Sequence, residues 1–258
     1  MILDQVRAEL PGLTLALGGS RARGNASPDS DYDIGIYYDG SLDFDAVLAA
    51  ANRLGDVDGF GRPGEWGPWI NGGVWLKMGG TKVDLLLRDA RRIREVVLEC
   101  AAGRPEIHYQ PGHPHGFVTS IYPGEVHQCV PVHDPVGLLA DLKELTDPYP
   151  EPLAEALIGK FGWESAFALD TAESAARRGD TAYVTGCAFR AVACLTQVVF
   201  AGARRYLTNE KGSVRSAGEF LPGYPEAVEE ALRHLADDLP AVLRGLRSTR
   251  GRVLDALR

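Results

Sequence analysis

The chain has 258 residues, 45% of them hydrophobic and 24% charged, and a formal net charge of −8. That length suffices for one large domain or two small ones around a sizeable core. An acidic chain is a poor general binder of nucleic acid or anionic membrane, so neither is expected as a partner, and a cationic substrate suits it better.

Residues 2–10 read as a short amphipathic helix, with Ile2, Val6 and Leu10 at helical spacing and Pro11-Gly12 ending it. No basic region followed by an apolar stretch opens the chain and no run approaches a membrane span, so a cytoplasmic location is expected. Leu13 to Leu17 read as a short buried strand that ends in Gly18-Gly19-Ser20. Arg21-Ala22-Arg23-Gly24 starts a helical turn, and Asn25 to Ser30 is a loop. Asp31-Tyr32-Asp33 then leads into a second strand, about Tyr32 to Tyr38. Residues i and i+2 of a strand share a face, so Asp31 and Asp33 are paired there. Two such carboxylates repel each other unless a cation sits between them, and hard oxygen ligands suit Mg²⁺. The glycines let backbone approach a bulky anion, and Ser20 offers it a hydroxyl and an N–H. Arg21 and Arg23 are candidate phosphate contacts, with a plain surface role the alternative for each.

Residues 43–54 read as a helix, and 55–73 as a glycine- and proline-rich loop. Trp66 and Trp69 in that loop are either core or stacking groups for a base or sugar. Two strands follow, Val74 to Met78 and Val83 to Leu87, joined by Gly79-Gly80, a favoured hairpin turn. Asp84 lies on the second, inside a strongly apolar run. Residues 89–102 read as a helix capped by Asp89. The loop His108 to Phe117 holds three of the six histidines. A zinc site, a proline-stiffened border of the substrate cleft and a plain structural loop are all open readings of it. Asp134 as N-cap and Pro135 at the first helical position open a helix to about Thr146.

Asp147-Pro148-Tyr149-Pro150 is the candidate boundary. Beyond it helices are expected over 151–178, 180–203, 224–236 and 240–257, with Arg178-Gly179-Asp180 as the first turn. Single lysines on helices, Lys143 and Lys160, are expected to face solvent. Cys100, Cys129, Cys187 and Cys194 form no Cys-x-x-Cys pair and read as reduced, mostly buried thiols. The chain thus divides into an α/β part, 1–147, with about four strands, and an all-helical part, 148–258.

The Gly18-Gly19-Ser20 turn, the loop and Asp31-x-Asp33 on the next strand, followed by Asp84 on a later strand, resemble the signature of the DNA polymerase β-like nucleotidyltransferase superfamily. The match covers roughly residues 13–88. A hairpin with a solvated acidic turn is the competing reading, and it leaves a charged Asp84 inside an apolar strand unexplained. The resemblance implies an α+β nucleotidyltransferase domain with a small mixed sheet. The two-part plan is similar to the antibiotic nucleotidyltransferases that modify aminoglycosides or lincosamides, in which a C-terminal helical bundle closes the active-site cleft. It implies a metal-dependent transferase that moves a nucleoside monophosphate from an NTP, ATP among them, to a hydroxyl of a small molecule, here of the aminoglycoside type, and releases pyrophosphate. Asp31, Asp33 and Asp84 become the catalytic and metal-binding carboxylates, holding two Mg²⁺ ions, or Mn²⁺, about 3.5–4 Å apart. Gly18, Gly19, Ser20 and Arg23 would hold the nucleotide. In related enzymes the helical domain often offers a Lys or Arg to the triphosphate, and the basic stretch 204–212 supplies Lys211, with Asn209 as its polar neighbour.

Three other functions compete. Transfer to a protein (AMPylation) keeps the chemistry, but stand-alone transferases of that kind are usually much shorter. An RNA-end transferase would carry a basic stripe, which is not evident. A nucleotide-binding module without turnover would lack one of the carboxylates, and all three are present.

Overall fold

The structure, a computed structural model, describes residues 2–24 and 26–258, so Asn25 of the expected loop lies outside the described residues. In chain order the elements are α1 (Ile2–Glu9), β1 (Thr14–Leu17), α2 (Gly19–Ala22), β2 (Tyr32–Tyr38), α3 (Phe44–Leu54), β3 (Asp56–Gly61), β4 (Gly73–Met78), β5 (Thr81–Asp89) and α4 (Ala90–Ala101). There follow β6 (Ile107–His108), β7 (Phe117–Val118), α5 (Ile121–Gln128), β8 (Val130–His133) and α6 (Leu138–Glu144). The remainder is helical: α7 (Glu151–Arg177), α8 (Thr181–Gly202), α9 (Ser213–Ala217), α10 (Tyr224–Leu232), a 3₁₀ turn (Arg233–Ala236) and α11 (Leu239–Asp255). The chain divides into two compact units, Met1–Glu99 with Tyr122–Pro148, and Cys100–Ile121 with Tyr149–Arg258. The expected single boundary at 147/148 is therefore not the whole division, because residues 100–121 group with the helical part.

The first unit is built on a six-stranded mixed sheet of order β3-β4-β5-β2-β1-β8. β2 and β5 are its parallel central pair, and the other neighbours run antiparallel. Strand periodicity sends Ile34, Ile36, Val83, Leu85 and Leu87 to one face, where all are fully buried. Val6 and Leu10 of α1 and Phe44, Val47, Ala50 and Ala51 of α3 belong to the same cluster. Asp43 caps α3 by accepting the Ala46 amide at 3.0 Å. The opposite face of the central strands carries Asp33, Gly35 and Tyr37 from β2, and Asp84, Leu86 and Arg88 from β5.

Two strands of this sheet escape the sequence expectation of about four, and a further pair, β6 and β7, brackets the expected histidine loop. β3 reads Asp-Val-Asp-Gly-Phe-Gly, a composition that strands avoid. It survives as an edge strand, with an irregular register between Val57 and Gly59 and an Asp58–Lys77 pair at 2.9 Å. β8 contains Pro131 and pairs only with β1, and an edge position tolerates the missing N–H. α5 was also unexpected, since Pro123-Gly124 signals a break, but proline is tolerated in a first helical turn. Its carboxyl end is closed by Lys143 Nζ, which donates to the carbonyls of Val126, His127 and Cys129 at 2.9, 2.7 and 2.8 Å. Lys143 is thus a capping group rather than the solvent-facing lysine expected. α6 starts at Leu138 instead of Pro135 because Gly137 takes a left-handed conformation, yet Asp134 still accepts the amides of Leu139 and Ala140.

In the second unit α7, α8, α10 and α11 form a helical bundle. Gly179 (φ 75) and Asp180, whose carboxylate accepts the Tyr183 amide at 3.1 Å, turn α7 into α8. Tyr224 is wholly buried, and its hydroxyl meets Thr196 Oγ1 at 2.9 Å. At Gly245 an added Cβ would sit 2.7 Å from Ala231 Cβ, so α10 and α11 pack almost backbone to backbone. Among the described residues one helix, α8, is long and apolar enough to cross a membrane by length and composition, with a mean hydropathy of 1.6 over 18 residues. This corrects the expectation that no run approaches a span, although 72% of that window is buried inside the protein, as in the core helix of a bundle. The four cysteines are thiols, and only Cys187 is partly exposed.

Candidate active site

The site candidate lies on the open face of the central strands. Asp33 and Asp84 are register partners across the parallel β2–β5 pair, and Asp31 stands two residues before Asp33. The three carboxylates are partly buried and repel one another. Burial first, then the charge of Asp31, raises the Asp33 carboxyl above the usual carboxylate range, and the Arg23 guanidinium partly offsets this. Asp84 is pushed up to about 6 by burial, then by Asp33 and Asp31, against the lowering effects of Lys82 and of a hydrogen bond from Trp75. Both carboxyls are thus raised first by burial and then by like charge, and a cation on this face would relieve both effects.

The glycine turn is fitted to Asp33. The Gly18 amide donates to the Asp33 carbonyl at 2.7 Å, which pins the turn to the start of β2. Gly19 has φ +61, and a Cβ there would lie 1.7 Å from Asp33 Oδ2. Only glycine permits both the left-handed backbone and the close approach of the carboxylate. Ser20 follows in the first turn of α2, and Arg23 caps its end, exposed. Arg21 does something else than expected. Its guanidinium donates to the carbonyls of Ser30 (2.6 Å from Nη2) and Asp31 (3.2 Å from Nε) and lies 3.9 Å over the Tyr32 ring. It staples the loop that delivers Asp31, and so is a positioning group rather than a phosphate contact.

Sequence reasoning missed two features of this face. Arg88 forms a two-point ion pair with Glu125 of α5 at 2.9 and 3.0 Å, and both charges act on Asp33. An arginine between a predicted strand and a predicted helix gives no sign of a partner 37 residues away. Trp75, from β4, is the register partner of Asp84 and stacks on Trp66 at 4.9 Å. Trp69, by contrast, packs beneath Arg92 at 4.5 Å, and its carbonyl accepts the Tyr122 hydroxyl at 2.7 Å.

Among the described residues no three His, Cys, Asp or Glu side chains converge tightly enough to hold an ion by themselves. The donor set nevertheless suits Mg²⁺, which takes one or two carboxylates and completes its shell with water and substrate phosphates. Asp33 with Asp84 or Asp31 provides that number of hard oxygen donors, with Gly19 making room for the Asp33 carboxylate.

The remaining expected residues lie in the second unit. Asn209 Oδ1 accepts the Lys211 amide at 2.9 Å, and Lys211 is exposed. The histidine loop is anchored within the same unit. Glu210 accepts the His115 amide at 3.2 Å and faces His113 Nδ1 at 3.4 Å. Arg190 donates to the His115 carbonyl at 2.5 Å and to Glu164 at 2.6 Å.

Residues 1–100 match the family model of the nucleotidyltransferase domain. The first part of the chain is thus a nucleotidyltransferase domain of the polymerase β-like superfamily, a class that transfers nucleoside monophosphates from NTPs. Among solved structures the chain is similar to a nucleotidyltransferase-like protein from Exiguobacterium sibiricum 255-15, at 10% identity, over 97% of this chain and 75% of that one, with a TM-score of 0.48. No curated protein matches the chain.

Proposed function

We propose that the chain moves a nucleoside monophosphate from Mg-NTP to a hydroxyl of a small molecule and releases pyrophosphate. The observation that carries the reading is the Asp33–Asp84 pair, face to face on parallel strands with the Gly19 turn closed against Asp33. The amides of Gly19 and Ser20, at the start of a helix and without intrahelical acceptors, are those a phosphate would meet. Arg23 adds a positive charge at the same turn. Asp31 and Asp33, with Asp84, would hold Mg²⁺ or Mn²⁺. A bound ion would neutralise the phosphate oxygens and ease deprotonation of the acceptor hydroxyl. Asp84 receives that hydroxyl proton on its carboxylate as the oxygen attacks the α-phosphorus, the P–O bond to pyrophosphate breaks, and the electron pair leaves with pyrophosphate.

The net charge of −8 favours a cationic acceptor, and an aminoglycoside-type antibiotic is the acceptor class proposed first. The test is incubation of the protein with Mg²⁺ and α-labelled ATP, GTP, CTP and UTP, together with aminoglycosides, lincosamides or a cell lysate. Label on a small molecule, lost in Asp33→Asn, is the expected result. Label on protein would replace the acceptor with a polypeptide. Retention of label in NTP across the whole panel, with no Mg-NTP binding by calorimetry, would overturn the reading.

A further inference from the structure

Asp84 has a partner for which nucleotidyl transfer supplies no role. Trp75 faces it from β4, on the open side of the sheet, while its neighbours Val74 and Leu76 fill the core. The antiparallel register sets the two side chains beside each other on that face. The ring is held in turn by Trp66, stacked on it with 25° between the planes. Trp66 rests on Gly61 of β3, where an added Cβ would come within 2.9 Å of two of its ring atoms. Two tryptophans and a glycine from three successive segments thus build one fixed clamp beside a single carboxylate.

The chemistry of the donor matters. A lysine or arginine beside Asp84 would orient the carboxylate but also neutralise it, competing with any cation. A hydroxyl can turn round and act as acceptor. An indole N–H can only donate and is neutral. As a donor to Asp84 it would fix the carboxylate while leaving its negative charge intact. We propose that the Trp75 indole N–H donates to Asp84 and so positions its carboxylate for a cation shared with Asp33, and that Trp66, stacked on it, locks the indole in place. This rests on the reading of Asp84 given above.

The test uses the full chain with ¹⁵N-labelled tryptophan, in which Trp75→Phe assigns the Trp75 indole resonance by its loss. In Asp84→Asn that resonance should move upfield and its proton exchange faster with water. In the wild type it should broaden on addition of Mn²⁺. Trp75→Phe keeps an aromatic ring, and Mn²⁺ affinity by calorimetry should fall about tenfold, with kcat falling further than KM for NTP changes. Trp66→Leu keeps the N–H and should give a smaller loss, serving where Trp75→Phe melts early. An indole resonance indifferent to Asp84→Asn overturns the proposal, as does Mn²⁺ affinity unchanged in folded Trp75→Phe. A resonance that answers to Asp84→Asn in a protein that binds neither Mn²⁺ nor Mg-NTP instead sinks the nucleotidyl-transfer reading and upholds the Trp75–Asp84 bond.

Discussion

The two faces of the β2–β5 pair are made by the same strands and differ in everything else. On one face Ile34, Ile36, Val83, Leu85 and Leu87 are fully buried under α1 and α3. On the other, one residue along in each strand, Asp33 and Asp84 lie side by side with raised carboxyl pKa values, and the Tyr37 ring packs over Gly35. The apolar face stabilises the unit, whereas the acidic face costs it stability through like-charge repulsion and desolvation. A region that is electrostatically unfavourable in the protein alone is relieved by a bound positive charge, and this contrast is what supports the proposed site.

The strongest way to break this contrast is Asp33→Asn. Turnover is expected to fall at least about 10³-fold, about 4 kcal/mol of barrier, while the far-UV spectrum stays that of the wild type. Substantial residual turnover would detach function from the acidic face. The matching change on the other face, Leu85→Ala, should cost about 2–5 kcal/mol in urea unfolding, and the folded fraction should still turn over NTP. If Leu85→Ala left stability intact, the division of labour between the faces would fail.

Gly19→Ala sharpens the contrast at the turn. The new methyl would occupy space now held by Asp33 Oδ2 on a backbone that side chains disfavour, so the carboxylate must shift. A loss of about 10²-fold in kcat is expected, since displacements near 1 Å carry costs of that size, and wild-type kcat in steady-state assays would remove the turn from the site.

The smallest effect is a dependence of stability on pH. The folded carboxyl of Asp84 lies near 6 and the ordinary value is 3.8. Between these two values the folded state holds more proton than the unfolded one, so stability falls as pH rises through the window. The penalty is complete above about pH 7 and absent at pH 3. In EDTA, Asp84→Asn should therefore stabilise the chain by about 1–2 kcal/mol at pH 8, discounted for the part-exposed carboxylate, and by nothing measurable near pH 3. Equal stabilisation at both pH values in thermal melts would refute this penalty of burial and repulsion.

What was legible in the chain was local. The Gly18-Gly19-Ser20 turn, the i, i+2 pair Asp31 and Asp33, the apolar run around Asp84 and the caps Asp89, Asp134 and Asp180 all act within a few residues of themselves. Periodicity alone thus sufficed for β2, β5 and the long helices α7, α8 and α11. What only the tertiary structure decided was every feature whose partner is distant. β3 and β8 exist because a neighbouring strand supplies their hydrogen bonds despite glycine and Pro131. Lys143 became a cap because the end of α5 meets it, and Arg21 became a staple because the loop of Ser30 and Asp31 folds onto it. Arg88 with Glu125 and Trp75 with Asp84 are likewise pairs made by register and packing. Composition and spacing carry the free energy of short-range contacts, but the identity of a long-range partner is set only when loop closure and sheet order bring two segments together.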